Sequence, residues 1–331
     1  MPRHRNYRLT AVVLILAVSA PTSFAADAQW SGWLGPNRDG WVSDFEPPAE
    51  WPEKLTKVWQ VDVGTGYGSP LVAGDLVYQN HPNWGASASP IVDGDRVVVH
   101  FGNDDEGMLV TMNVADGKEV WTQGKDGASY SSPLLVEIHG VRQIVDWNHR
   151  AIVGVESQTG KQLWEFPFPH LTHNQNMPTP TFHNGRILLG GENRGVHSLE
   201  PQLKDGVWSV EDRWFQKQVA LDMSTAVING DLLFGFSHYN KGQLFCLDTE
   251  SGDVLWQGPG RLGQNVAFLS IPGHVIALLD SGRLQVVKAT GGSFDEVVSY
   301  PVADSPTWAP PVLLQQGVLI KDQTSLTYLS F

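Results

Sequence analysis

Short runs of apolar residues recur along the chain and predict a series of short β-strands. The most regular of these strands is four residues long, and its copies begin at residues 75, 96, 142, 186, 231, 274 and 317. The intervals between successive copies are 21, 46, 44, 45, 43 and 43 residues. A period near 44 residues with about four strands in each unit is typical of a β-propeller blade. The pattern therefore predicts an all-β propeller.

The four strands of each predicted blade, A to D, have separate signatures. Strand A follows a small residue and often a proline, which suits a crowded central channel and a strand start. Strand B is the apolar run, strand C follows it, and strand D carries an aromatic residue. The starts of strand A are Ser69-Pro70, Ser89-Pro90, Ser132-Pro133, Thr179-Pro180, Ser224-Thr225, Val266-Ala267 and Ala309-Pro310, and the aromatic residues of strand D are Trp121, Trp164, Trp214, Trp256 and, as a departure, Tyr300.

A turn with glycine followed by tryptophan occurs three times, at residues 115–121, 158–164 and 250–256. Glycine supplies the positive φ of a tight hairpin turn, and a tryptophan at a fixed place in each copy buries a large ring against the neighbouring copy. We therefore predict that the tryptophans of the D strands pack the blades together. These residues are Trp59, Trp121, Trp164, Trp214 and Trp256.

Two irregularities concern the closure of the ring. The last blade ends at Phe331 after strands A, B and C, and residues 57–62 have the character of a D strand although they precede every blade. An N-terminal strand that completes the last blade removes exposed sheet edges, so we expect Trp59 beside strand C of that blade. The 21-residue interval has room for strands A and B only. The sequence thus predicts six complete blades and a half blade, and leaves open whether the ring closes there.

The repeats and their Gly-x-x-x-Trp phrase resemble the pyrroloquinoline-quinone (PQQ) repeat type of β-propeller over residues 58–331. That family includes quinoprotein dehydrogenases and the non-enzymatic propeller of the outer-membrane barrel assembly machinery, and both usually have eight blades. The resemblance implies that about one and a half blades are lacking after Gln79. It also implies that a dehydrogenase would carry a vicinal cysteine pair and calcium ligands, whereas this chain has only Cys246.

The N-terminal sequence predicts where the protein is located, and its charge restricts the class of partner. Arg3, Arg5 and Arg8 precede an apolar run from Leu9 to Ala20, and the small residues Ser23 and Ala25 follow it, which is typical of a secretory signal peptide over residues 1–25. We expect an irregular extension rich in Trp, Pro and Gly over residues 26–56, and the propeller over residues 57–331. The mature protein should be periplasmic or secreted, monomeric and without a transmembrane segment. Its formal charge of −13 becomes −16 without the three arginines, which disfavours nucleic-acid binding.

The turns between strands B and C and the loops between strands D and A should emerge on one face, which is the default binding surface. Polar residues there are candidates for binding, and two alternatives remain open. Some histidines could hold a metal, or the side chains could only solvate the turns. We predict no metal. The candidates are His149, Arg150, His170, His173, Asn174, Asn193, Arg194, His238 and Tyr239.

No nucleophile–base motif or phosphate-binding glycine loop occurs in the sequence. This leads to the hypothesis of an exported, non-catalytic propeller that binds a protein partner or an envelope component and needs no cofactor. The alternative hypothesis is a PQQ-dependent quinoprotein oxidoreductase, similar to alcohol or sugar dehydrogenases, which would use PQQ and calcium. We lean against an enzyme because the local catalytic motifs and the cysteine pair are lacking.

Overall fold

The computed structural model describes residues 29–331 except residues 75, 80–87, 104 and 172–175. The described part is all-β: it contains 27 strands and one 3-10 helix, Tyr239–Lys241. No helix in these ranges is long and apolar enough to cross a membrane. The strands form seven separate sheets, six with four strands and one with three.

Each sheet is one blade, and we number the blades I to VII along the chain. Blade I consists of β1 (Gln29–Trp30), β3 (Leu71–Ala73) and β4 (Leu76–Tyr78). Blades II to IV consist of β5 (Ile91–Asp93), β6 (Arg96–Gly102), β7 (Gly107–Asn113) and β8 (Glu119–Gln123); β9 (Leu134–Ile138), β10 (Val141–Trp147), β11 (Ala151–Glu156) and β12 (Gln162–Pro167); and β13 (Thr181–His183), β14 (Arg186–Gly190), β15 (Val196–Lys204) and β16 (Val207–Gln216). Blades V to VII consist of β17 (Val227–Asn229), β18 (Leu232–Ser237), β19 (Gln243–Asp248) and β20 (Val254–Gln257); β21 (Val266–Ile271), β22 (His274–Leu279), β23 (Arg283–Lys288) and β24 (Glu296–Pro301); and β25 (Val312–Leu314), β26 (Gly317–Lys321), β27 (Ser325–Ser330) and β2 (Thr56–Asp62).

The predicted propeller, with six complete blades and one incomplete blade, is confirmed. Within each complete blade the strands lie in the antiparallel order A, B, C, D. The N-terminal strand β2 completes blade VII by pairing with β27, and Trp59 lies opposite Tyr328. This pairing gives the last blade the fourth strand that its own segment of chain lacks.

The extension was predicted to be irregular, and this prediction was wrong for β1. Gln29 pairs with Ala73 and Trp30 pairs with Val72, so β1 gives the half blade a third strand at the inner edge of its strand A. The physical reason is burial: the side chain of Trp30 is only 2% exposed and shares an apolar cluster with Val72. One large ring thus holds two residues of an otherwise irregular segment in place.

The D strands share one register, and it corrects the predicted role of Tyr300. In every complete blade the pairing of strands C and D shifts by one residue just before the position that carries tryptophan in blades II to V and VII. In blade VI that position is Val298, opposite Val286, while Tyr300 lies two residues further on. The Tyr300 hydroxyl donates a hydrogen bond of 2.7 Å to the carbonyl of Pro52. Tyr300 therefore fastens the extension to blade VI.

The hydrophobic core lies between consecutive blades. Separate buried apolar clusters join blade II to III, III to IV, IV to V and V to VI, and a larger one joins blades VI, VII and I with the extension. Among the described residues, no such cluster joins blade I to blade II. Burying apolar area drives this association, so the seam between blades I and II has the weakest apolar packing in the described ring.

Tryptophans of the D strands reach across these seams. The indole Nε1 atoms of Trp121, Trp214 and Trp256 donate to backbone carbonyls of the next blade, those of Ser157, Thr249 and Thr290, over 2.7–3.1 Å. Glycines of the next hairpin turn lie under two of the rings: an added Cβ on Gly160 would approach Trp121 to 2.7 Å, and one on Gly252 would approach Trp214 to 2.5 Å. Trp164 differs, because its Nε1 donates to Gln143 of its own blade.

Hydroxyl groups link the inner strands near the axis. The backbone N–H of Ser89 donates to the Ser132 hydroxyl over 2.9 Å, that of Ser132 donates to the Thr179 hydroxyl over 3.0 Å, and that of Thr179 donates to the Thr225 hydroxyl over 2.9 Å. These residues stand at the starts of strand A in blades II to V. The small hydroxyl residues that mark each strand A in the sequence therefore connect neighbouring blades as well as saving space.

Residues 40–42 of the extension lie along the inner strand of blade VI. Val42 donates its backbone N–H to the carbonyl of Ser270 in β21, and the Ser270 N–H donates to the carbonyl of Gly40. Gly40 has a φ of +75°, and a Cβ there would approach Val227 to 2.7 Å, so only glycine fits. Together with β1, these contacts place the extension against the inner strands of blades I and VI.

Candidate functional site

Turns between strands B and C meet the loops between strands D and A at one end of the propeller, which we call the loop face. Backbone hydrogen bonds join the two kinds of connection. Examples are His149 to Gly127, Phe168 to Arg150, Arg261 to Asn240, Thr307 to Asp280 and Val63 to Thr324, the first residue donating in each pair. In blades III, V, VI and VII, backbone contacts thus fix the B–C turns against the neighbouring D–A loops.

Arg194 is the central charged residue of the loop face on blades III and IV. It lies in the turn between β14 and β15, and its guanidinium carbon is 4.4 Å from the ring centre of Phe168 and 5.5 Å from that of Trp147. Its Nη1 donates to the carbonyl of Pro169 over 2.6 Å, and its Nη2 donates to the Asn176 side-chain oxygen over 2.8 Å. Two aromatic faces and two neutral acceptors therefore fix the guanidinium plane.

The charge of Arg194 is only partly compensated. Burial lowers the pKa of the guanidinium to about 10, while the nearby charge of Glu192 acts in the opposite direction. Arg194 thus remains a cation at neutral pH, although it is half-buried. Because the acceptors at Pro169 and Asn176 are both neutral, a carboxylate or phosphate from outside would gain a charge-assisted hydrogen bond there.

His149 and His170 come together beside this cluster. Their ring centres are 4.4 Å apart, and the backbone N–H of His170 donates to the carbonyl of His149 over 2.8 Å. His149 is buried. His173 and Asn174, which were predicted to join them, lie outside the described residues. In the part of the chain that is described, no three His, Cys, Asp or Glu side chains are grouped closely enough to hold a metal.

His238, Asn193 and Tyr239 form a second group on blades IV and V. The His238 Nε2 lies 2.9 Å from the Asn193 side-chain oxygen and donates to it, and the rings of His238 and Tyr239 are 4.6 Å apart. Positive φ angles are concentrated here, in Asn193 and in three residues of blade V and the loop that follows it. Those three are Asn240 (54°), Lys241 (63°) and Arg261 (69°). Such conformations cost energy and are concentrated at functional sites.

Arg150 lies apart from this arrangement of aromatic rings. Its Nε is 3.1 Å from the Asp126 carboxylate and its Nη2 is 3.8 Å from that of Glu165, so its charge is neutralised by blade III and the loop before it. The structure therefore groups the predicted residues unequally: His149, His170 and Arg194 surround one cluster, His238, Asn193 and Tyr239 form another, and Arg150 is engaged in ion pairs.

Several residues of the loop face were missed by sequence reasoning. Trp147, Phe168 and Asn176 hold Arg194, and Tyr130, Leu171 and Met223 are large apolar side chains exposed on three different loops. Exposed aromatic and methionine side chains of this kind are enriched where proteins bind proteins. The run of aromatic and proline residues at 166–169 was the available signal, because such residues are unusual in a loop that only solvates a turn.

The comparisons with known proteins point to one family. The family model described as outer membrane protein assembly factor BamB matches residues 52–258 and 142–300. A protein of that name from Burkholderia pseudomallei is 23% identical over 250 residues, which are 68% of this chain and 64% of that protein. One from Escherichia coli is 22% identical over 293 residues, covering 72% of this chain and 69% of that protein. The chain thus spans about two thirds of the length of these relatives.

Solved structures similar to this chain include proteins with different functions. BamB from Moraxella catarrhalis covers 84% of this chain and 100% of its own, at 12% identity and a TM-score of 0.47. A quinohemoprotein alcohol dehydrogenase from Pseudomonas putida covers 83% of this chain and 76% of its own, at 10% identity and a TM-score of 0.46. Neither likeness is close enough to assign a function.

Proposed function

Because the chain belongs to the PQQ-repeat propeller family whose model is described as outer membrane protein assembly factor BamB, we propose that it is an exported, non-catalytic scaffold of outer-membrane protein assembly. In this proposal the loop face of blades III to V binds a protein partner. The periplasm is the compartment that fits this role. One copy of the chain, not an oligomer of it, binds the partner.

The observation that carries this proposal is the cluster around Arg194. A half-buried guanidinium that is stacked on Phe168 and bonded to two neutral acceptors is held in one orientation before any partner arrives. Pre-organised arginine next to aromatic side chains is typical of the residues that dominate protein–protein binding energy. This arrangement supports recognition of a carboxylate on the partner.

The surroundings of the cluster support a partner with an acidic segment. Lys217, Lys241 and Arg261 are exposed on the loop face of blades IV and V, and among the described residues none of them forms an ion pair within 4 Å. This local excess of positive charge stands out in a chain of net charge −13. Complementary charge orients a partner and accelerates association, and the exposed apolar residues supply the area to be buried.

We also propose that this function needs neither PQQ nor calcium. Residues of the extension lie against the inner strands of blades I and VI, on the side where a propeller would hold a planar cofactor at its axis. Calorimetric titration of the mature protein, residues 26–331, with PQQ and Ca²⁺ checks this point. We expect no saturable heat, and micromolar binding would instead favour the oxidoreductase hypothesis.

An affinity capture experiment tests the scaffold proposal. The mature protein is immobilised and incubated with detergent extract of the envelope, and bound proteins are identified by mass spectrometry. We expect a partner that is lost with the double variant Tyr130→Ser and Leu171→Ser and weakened by Arg194→Lys, which keeps the charge but loses the planar donors. Lys161→Ala, in an exposed turn at the opposite end of blade III, is the matched control. Capture that is unaffected by the loop-face variants would contradict the proposal.

A further inference from the structure

Among the described residues, blade I has no counterpart of the two outer strands that the other six blades possess. Its strands β1, β3 and β4 are paired in that order, so β4 has a free outer edge among the described strands. In a complete blade that edge pairs with strand C, and strand D follows outside it. The neighbours of blade I show which chemical groups the two lacking strands would meet.

Trp59 of blade VII faces the place of the lacking hairpin from one side. It occupies the tryptophan position of its D strand, from which Trp121, Trp214 and Trp256 donate to a backbone carbonyl of the next blade. For Trp59 the next blade is blade I, in which the structure describes no strand C. Its Nε1 is buried and has no hydrogen-bond acceptor among the described residues. An unsatisfied buried N–H costs free energy. A backbone carbonyl that accepted a hydrogen bond from Trp59 Nε1 would remove this cost.

Gly117 of blade II faces the same place from the other side. It is the glycine of the hairpin turn that corresponds to Gly160 and Gly252, and those two glycines lie under the tryptophan of the preceding blade. A Cβ added to Gly117 would have no described heavy atom within 4 Å. Val114, which corresponds to the Ser157 that accepts from Trp121, is 59% exposed, whereas Ser157 is 2% exposed. The surface of blade II on which a tryptophan ring would pack, around Gly117, is therefore exposed.

The outward face of blade I is apolar as well. Val72 and Val77 are buried toward blade VII, while Leu71, Leu76 and Tyr78 on the other face of the sheet are more than a third exposed. On the adjacent blade II, Val92 is also exposed. An exposed strand edge beside apolar side chains is a site at which another strand adds to the sheet.

We propose that the gap beside β4 is a docking site for a β-hairpin of a partner protein, with the strand–glycine turn–tryptophan strand pattern of this propeller's own blades. The first strand of the hairpin pairs with the free edge of β4. A backbone carbonyl at the end of this strand accepts from Trp59 Nε1, and the tryptophan of the second strand lies over Gly117 and donates to the Val114 carbonyl. The hairpin would complete blade I, as β2 completes blade VII from a distant part of the chain.

The gap beside β4 is a different surface from the loop face, and its role does not depend on the function proposed above. The occupant is a hairpin because it has to contact two separate groups. It must accept a hydrogen bond from an indole N–H on blade VII and pack a ring on a glycine turn of blade II. A single added strand would reach the edge of β4 but would not supply a ring for Gly117. The repeats of the chain itself define the required chemistry of the partner segment.

A peptide provides the probe. Residues 107–123, the hairpin of β7 and β8, carry both the glycine turn and Trp121. A fluorescently labelled peptide of this sequence is titrated into the mature protein and binding is followed by anisotropy. We expect saturable binding that falls at least tenfold when the peptide carries Trp121→Ala. No binding of the unaltered peptide would overturn the proposal.

Variants of the protein locate the binding. Tyr78→Lys places a charge beside the free edge, and Gly117→Ala blocks the seat of the ring, so each should weaken binding at least tenfold. Val207→Lys is an exposed control at the first residue of β16, and Gly94→Ala is a control with a similar positive φ and open space around it. Both controls should bind the peptide normally. Equal loss in the variants and the controls would contradict the assigned place.

Hydrogen exchange and sedimentation separate the other occupants. The amides of Leu76–Tyr78 should exchange freely on the outer side in the monomeric protein and become protected when the peptide binds. Protection in the monomer without peptide would mean that the chain itself covers the edge, which overturns the proposal. A concentration-dependent dimer that Tyr78→Lys separates would make a second copy the occupant, and the partner hairpin would then be rejected.

Discussion

His100 and Asp146 form a buried pair that joins blades II and III. The His100 Nδ1 lies 2.7 Å from the Asp146 carboxylate and its Nε2 lies 3.0 Å from the carbonyl of Asp126, and both side chains are at most 6% exposed. A carbonyl accepts only, so Nε2 donates, and the contact with Asp146 needs a second proton. Burial by itself disfavours the imidazolium, but the charge and hydrogen bond of Asp146, with smaller effects of Asp126, raise the pKa of His100.

The raised pKa predicts the direction of a pH effect on stability. Since the pKa of His100 is higher in the folded than in the unfolded chain, the pair stabilises the fold fully below the ordinary value of 6.5 and loses this contribution as pH rises through the folded value. We expect His100→Gln to lower the free energy of unfolding by about 2–3 kcal/mol at pH 6 and by less at pH 9. Urea unfolding of both proteins at the two pH values measures this.

Asp146→Asn serves as the matched control for the pair, because it removes the charge that raises the pKa while leaving the side chain nearly the same size. The variant should flatten the same pH dependence. Arg150 and Asp126 remain in both proteins, so their ion pair cancels in the comparison. A loss of stability that is equal at pH 6 and pH 9 would show that His100 is neutral in the folded protein.

At the scale of the strand and turn, the hairpin between strands C and D recurs from blade to blade and accounts for most of the packing between blades. The glycine of the turn lies under the tryptophan of the preceding blade, and that tryptophan donates to the strand just before the turn. The bulge in each D strand turns out the residue just before the tryptophan, or before Val298 in blade VI. This accounts for the exposure of Val58, Val120, Leu255 and Val297. These apolar side chains are exposed by the register and do not mark binding sites.

A pair of glycine variants separates the packing of the turn from its backbone conformation. Gly160→Ala should lower the free energy of unfolding by about 3 kcal/mol, because a Cβ would collide with Trp121 in addition to the strain of a positive φ. Gly117→Ala has the same turn geometry with open space, so about 1 kcal/mol is expected. Urea unfolding measures both, and equal losses would mean that the ring of Trp121 does not lie against the turn.

Much of this element structure could be predicted from the sequence, because the repeat spacing and the glycine turns are local signals. The period gave the blades their strand order, and the aromatic character of residues 57–62 identified the closing strand. The register of blade VI was mistaken because Tyr300 is aromatic, while the bulge that sets the register leaves no mark in the sequence. β1 was missed because a two-residue strand depends on the burial of Trp30 against a distant segment.

For the candidate site, sequence reasoning was limited to naming loops. It selected His149, His170 and Arg194, but the cluster depends on Phe168 and Asn176, which a long loop brings back to the turn between β14 and β15. Arg150 is paired with carboxylates, whereas Arg194 is bonded to neutral acceptors. This difference depends on residues of other loops, and tertiary contacts of this kind leave no periodic pattern in the sequence. His173 and Asn174 remain predictions, since they lie outside the described residues.

At the scale of the whole molecule, the packed blades and the incomplete blade have different roles. Apolar clusters join each blade to the next from II to VII, and hydroxyl links also join blades II to V, so these blades form a rigid support for the loop face. The half blade interrupts that support at the seam between blades I and II. A scaffold with a stiff face and one incomplete blade fits protein binding better than the enclosure of a cofactor.

Site-specific photo-crosslinking in living cells tests the central claim, that the loop face binds a protein partner. A photoreactive amino acid replaces Tyr130, Leu171 or Met223 on the loop face, and Lys161 or Lys204 at the opposite end serves as the control; all five side chains are exposed. After irradiation, we expect a discrete product of higher mass from the three loop-face positions and none from the two controls. Products from the controls alone, or from no position, would contradict the account.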